Sequence, residues 1–225
     1  MVRESEIPYK RPIRNSWENE RHFIIPNVFY KGRTGIYRIF KELTPGVTRE
    51  KLSAIYELEK AKGNPHPASA PLIWAICESA YNLRDRKSGS SEKLRNFLHR
   101  SFQRSMNTLT SIIYSPSGED QIIHNYGTPD EYSFEEEVIG QSDWVSKIHN
   151  KNFLEKLILN SDIEQIYNVS RWISRTSPYL WRLRSKPKTE EEGVFAFISG
   201  GNAFDFHCNS DPSKQVATFR VLEVD

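Results

Sequence analysis

Apolar and polar positions along this chain follow a helical period up to about residue 107 and mostly a strand period after it. The first strongly apolar run, HFIIPNVFY at 22–30, contains Pro26, which has no N–H to give a ladder. That residue points to an edge strand or an extended packing segment. KGRTG at 31–35 reads as a turn. Ile36, Phe40 and Leu43 fall on one helical face, which predicts a short helix before Pro45-Gly46. Thr48 caps a predicted helix to about Lys62, with Leu52, Ile55, Tyr56 and Leu58 as its stripe and Gly63 in the left-handed closing position. The proline-broken segment NPHPASAP ends in Pro71, which opens a helix to about Arg84. That helix is apolar on most of its circumference and is expected near the centre of the helical part. Ser91 caps a further helix to about Met106, carrying Leu94, Phe97, Leu98 and Phe102 on one face.

Beyond Asn107 the pattern predicts a hairpin of 108–114 and 121–126 around Ser115-Pro116-Ser117-Gly118, which has type I turn chemistry. A third strand is expected at 131–138. A short helix at 153–159 precedes one opened by Ser161 and Glu164, the spacing of a capping box. Pro178 ends it. Segments 193–198 and 203–208 form another hairpin around Ser199-Gly200-Gly201-Asn202, and 216–224 adds a third strand.

The predicted fold class is therefore α+β: a helical N-terminal half, then a mostly antiparallel sheet of two three-strand units with a helical insertion near 151–175. Residues 1–20 read as an extended arm, with Tyr9 and Trp17 available to dock it, and residues 21–225 as a single domain. The chain is 12% aromatic, enough bulky material for a core. Cys77 and Cys208 make no metal spacing and no CxxC, and a chain poor in disulfides suits a reducing compartment, so a cytoplasmic location is expected. The N-terminal residues are charged from the third onward and lack an apolar signal core, and no apolar run is long enough to span a bilayer, so no membrane partner is expected.

Charge is unevenly spread, although the formal net charge is only +2. Residues 171–188 hold Arg171, Trp172, Arg175, Tyr179, Trp181, Arg182 and Arg184 with Lys186, Lys188 and no carboxylate. Guanidinium groups hold phosphates while indole and phenol faces stack on bases, so this stretch suggests nucleic acid. Packing of its rings as core is the ordinary alternative. A helix face with Lys93, Arg95, Arg100 and Arg104 is basic too, while 119–143 holds eight carboxylates that could receive the charge of 171–188.

Period two places Asp205 and His207 on one strand face and Phe204, Phe206 and Cys208 on the other, with Asp211 just beyond. Such a group could hold a divalent metal or work as an acid/base pair, though no third ligand stands at a diagnostic spacing. His124 beside Glu135, Glu136 and Glu137 is a weaker acid/base candidate, and His66 lies isolated between prolines. Gly200-Gly201 leads into a strand where a phosphate loop would open a helix, and no nucleotide or hydrolase fingerprint occurs, so no cofactor is expected. The pattern suggests a non-enzymatic binding or interaction protein, its partner a protein or a nucleic acid engaged through 171–188. The alternative is a metal-dependent enzyme built on Asp205, His207 and Asp211.

Overall fold

In the computed structural model, which describes residues 18–85, 89–149 and 151–224, strands come first. A hairpin of β1 (His22–Tyr30) and β2 (Arg33–Phe40) precedes α1 (Arg49–Ala61), the short β3 (His66–Pro67), α2 (Ala70–Asn82) and α3 (Gly89–Phe102). Strands β4 (Met106–Tyr114), β5 (Asp120–His124), β6 (Tyr132–Glu136) and β7 (Asp143–Trp144) follow, then a 3-10 turn, α4 (Lys151–Ile158) and α5 (Ile163–Ser174). The order closes with β8 (Ser177–Trp181), β9 (Glu191–Gly200), β10 (Ala203–Ser210) and β11 (Arg220–Val224). Strand makes up 35% and helix 31%, which overturns the expected helical N-terminal half. The error begins at β2. There Tyr37 and Ile39 are buried at period two while Ile36 and Phe40 are only partly covered, so the helical spacing of Ile36, Phe40 and Leu43 was incidental.

The two predicted three-strand units are corrected as well. One curled sheet runs β6-β5-β4-β9-β10-β8-β7, and a second runs β1-β2-β11-β3. The meander β4-β5-β6 and the hairpin β9-β10 do share the larger sheet, but the expected third strand, β11, inserts between β2 and β3 of the other one. Its place beside β10 is taken by β8, and this is the one parallel pair among the described strands.

Helix α2 lies between the sheets and is buried almost all round. Trp74 packs with ring centroids 5.3 Å from Phe206 and 6.1 Å from Phe197, and Phe102 of α3 meets Phe204 at 5.2 Å and Phe219 at 5.3 Å. β1 is an edge strand of the smaller sheet, and its register shifts between Ile25 and Val28, around Pro26. At that irregularity the Pro26 carbonyl accepts from Ser79 Oγ of α2 at 2.5 Å. Helix α1 packs a smaller cluster, Leu52 and Tyr56 with Leu109 of β4. Asp162, one residue later than the expected Ser161, is the true cap of α5 and accepts from Gln165 N at 3.0 Å. Most of the expected N-terminal arm, including Tyr9 and Trp17, lies outside the described residues. Among the described residues no helix is long and apolar enough to cross a membrane.

Candidate functional site

Parallel pairing of β8 with β10 sets Asp205 opposite Tyr179 and His207 opposite Trp181, while β7 sets Trp144 opposite Tyr179. Alternation along the strands sends Leu180, Phe204, Phe206 and Cys208 into the core and leaves Tyr179, Trp181, Asp205 and His207 on the outer face. The outward rings touch in series. Trp144 meets Tyr179 edge-on at 5.1 Å, Tyr179 meets Trp181 at 5.5 Å, and Trp181 stacks on His207 at 6.1 Å with 29° between planes. Trp181 is 43% exposed, so the ladder includes an indole open to solvent.

Asp205 sits under this ladder. Its carboxylate accepts from the Trp181 indole, yet Oδ1 is buried without a hydrogen-bond partner, and burial pushes the carboxyl up to about 6. Burial lowers the His207 imidazole below its ordinary range, and the nearby Lys214 ammonium lowers it further. His207 Nδ1 lies 3.4 Å from Ser210 Oγ. Asp211 is exposed and turns away to accept from Ser213 N and Oγ, which hold its carboxyl below the usual range. Among the described residues no three His, Cys, Asp or Glu side chains are grouped to hold a metal ion. Asp205 and His207 therefore share a face, but Asp211 does not complete a ligand set with them.

The basic-aromatic stretch is divided between the two sides of the sheet. Arg171, exposed on α5, donates to Tyr167 Oη at 2.9 Å, and Trp172 packs edge-on to Tyr81 at 6.0 Å beside the main core. Arg175 closes α5 in the left-handed region at φ 65°, and the chain then enters β8. Arg182 lies across Gly140, where a Cβ would come within 2.9 Å of its guanidinium, and donates to the Gln141 carbonyl at 2.7 Å. Lys186 reaches the Gly118 carbonyl at 2.5 Å, so these two cations meet backbone within and immediately before the acidic segment. Carboxylates of that segment are engaged elsewhere: Asp130 by Lys60, Glu136 by Lys156 at 2.8 Å and Asp143 by Lys147 at 3.9 Å. Arg184 and Lys188 are exposed. The basic face of α3 does not join them, because α3 packs Phe102 on the inner side of the sheet, against Phe197 and Phe204. Within it Lys93 pairs with Glu18 at 3.1 Å, and Arg100 Nε bonds the Asn96 carbonyl at 3.2 Å.

His124 is a core residue, not an acid/base centre. Its ring nitrogens face Thr110 Oγ1 at 2.9 Å and the Lys156 carbonyl at 2.8 Å, and burial lowers it to about 4. Trp144, which shows no pattern in the sequence, belongs to the outer ladder through a partner far along the chain. Only the register of β7 on β8 reveals it. Compared with protein-family models, with curated proteins and with solved structures, the chain has no match.

Proposed function

We propose that this chain is a non-enzymatic binding module that takes single-stranded nucleic acid on the outer face of β7, β8 and β10. The observation that carries this reading is the ring series Trp144, Tyr179, Trp181 and His207 on the outer sheet face, three of its rings partly exposed and the Trp181 indole exposed. Ring faces accept unpaired bases without regard to sequence, each stack contributing about 1–3 kcal/mol. The rim supports the same partner. Lys147 follows Trp144 closely in the chain and is 66% exposed; Lys214 lies near enough to His207 to lower its pKa. Exposed Arg184 is three residues past Trp181, within about 10 Å by chain length. Of the carboxylates on or beside this ladder, Asp143 already faces Lys147, and Asp205 is sheltered and weakly acidic.

Titration of a fluorescently labelled single strand tests the reading. Three phosphate contacts give a log-log salt slope near −2, hence an affinity loss of about 20-fold between 50 and 200 mM salt. Trp181→Ala should weaken binding about 5-fold or more with the slope unchanged, and Arg184→Ala should lower the slope by about 0.7. Absence of binding at about 100 μM protein in low salt, or equal binding by Trp181→Ala, refutes the proposal.

A further inference from the structure

A second site lies away from the aromatic face, where the turn between β1 and β2 overhangs α1 and the 127–130 turn. A cavity of about 220 Å³ opens there, with Tyr30, Lys31, Tyr56 and His66 among its polar lining and Pro67, Leu72 and Val221 among its apolar lining. The carboxylates in it are already matched to cations. Asp130 accepts from Tyr56 Oη at 2.7 Å and from Lys60 Nζ, and Glu223 pairs with Arg33 at 2.7 Å. Lys31 is left over: among the described residues it has no carboxylate in ion-pair contact, and its ammonium lies 3.7 Å from the Tyr132 ring centroid and 5.7 Å from that of Tyr30.

The backbone under Lys31 is unusual in the same place. Lys31 and Gly32 form the two-residue turn of the hairpin with φ of 49° and 76°. Both residues of such a turn need positive φ, which Asn-Gly supplies with least strain and lysine does not. Strained backbone of this kind is enriched at ligand sites and is one reason to look for a task for the side chain. Beside it, Tyr30 Oη has only long contacts, 3.4 Å to Ser69 Oγ and 3.4 Å to Tyr132 Oη, so its hydroxyl is free to donate to an incoming oxygen. Burial holds the Lys31 amine below its ordinary range, with the Lys60 and Arg33 cations adding to the effect and Asp130, already bonded to Lys60, opposing it only in part.

We propose that this cavity binds a small organic monocarboxylate, its oxygens meeting Lys31 Nζ and Tyr30 Oη and its hydrocarbon body resting on Pro67, Leu72 and Val221. One unmatched cation selects a single negative charge, and the apolar wall selects a ring or short alkyl body over a sugar. The inference is independent of nucleic-acid binding, since these residues belong to the smaller sheet and its neighbours.

The test is calorimetric titration of the full chain with benzoate, cinnamate and hexanoate, each compared with its neutral amide. At least one acid should bind with a dissociation constant of about 1 mM or below, and its amide at least about tenfold more weakly, as expected when a charge-assisted hydrogen bond is lost. Lys31→Met should weaken the acid at least about tenfold and leave the amide unchanged, and Tyr30→Phe should weaken it about threefold or more. Circular dichroism establishes that each variant is folded, and Tyr30→Phe stands alone as the test if Lys31→Met is not. Acids and amides binding equally, unchanged affinity in the folded variants, or no binding of any acid at about 10 mM overturns the proposal.

Discussion

Replacing Asp205 by asparagine should make the protein more stable at neutral pH and leave it nearly unchanged in acid. The carboxyl is half-buried, one oxygen lacks a partner, and its folded value of about 6 stands above the usual 3.8. An acid raised in this way binds its proton more tightly when folded. Its contribution is therefore most favourable below pH 3.8, declines as pH rises, and becomes a full penalty above about 6. At about 1.36 kcal/mol for each tenfold change in acidity the penalty would be about 3 kcal/mol. Solvent reaches part of the group, and screening reduces this to about 1.5 kcal/mol. For a chain of this size Asp205→Asn should raise Tm by about 3–6 °C at pH 8 and by no more than about 1 °C at pH 4. Scanning calorimetry at both pH values measures it. An equal shift at the two pH values, or a loss of stability at pH 8, would show that Asp205 is not an unsatisfied charge.

His124 acts in the opposite sense. Its folded value of about 4 lies below the usual 6.5, so stability on the order of 3 kcal/mol, complete above 6.5, is lost as pH falls toward 4. Urea midpoints measured between pH 7 and 4 should fall more steeply in Asp205→Asn than in the parent chain, and His124→Gln should flatten the fall. Asp120 is buried and accepts from the N–H groups of Ser115, Val138 and Ile139 at 3.1, 2.9 and 3.2 Å, so Asp120→Ala should cost about 2–4 kcal/mol by urea denaturation at unchanged slope. Cys77 and Cys208 are buried, and burial pushes both thiols up, so neither should react with a thiol reagent until urea unfolds the chain.

Local chemistry was legible in the sequence where the signal was local. The Pro116 and Gly118 turn gave the β4-β5 hairpin, and Gly63, at φ 68°, follows α1 in the left-handed conformation expected of it. Two frames competed at the start of α5, Ser161 with Glu164 and Asp162 with Gln165, and the carboxylate took the cap. In β2 a short run satisfied both periods, and only its pairing with β1 and β11 decides for a strand. The face shared by Asp205 and His207 follows from alternation alone. Its neighbours Trp144 and Trp181 do not, because register between distant strands brings them there. Likewise the Lys31 cavity draws its lining from residues as far apart as Tyr30 and Glu223, with no motif to announce it.

The place of β11 between β2 and β3 bears on how the chain is made. During synthesis the β1-β2 hairpin emerges early with one edge of β2 unpaired, and the strand that covers this edge from Ile36 to Ile39 is built only at 221–224. Until then the edge is a template for any extended chain nearby. Ribosome-bound or prematurely terminated chains that stop short of β11 should therefore be the aggregating species.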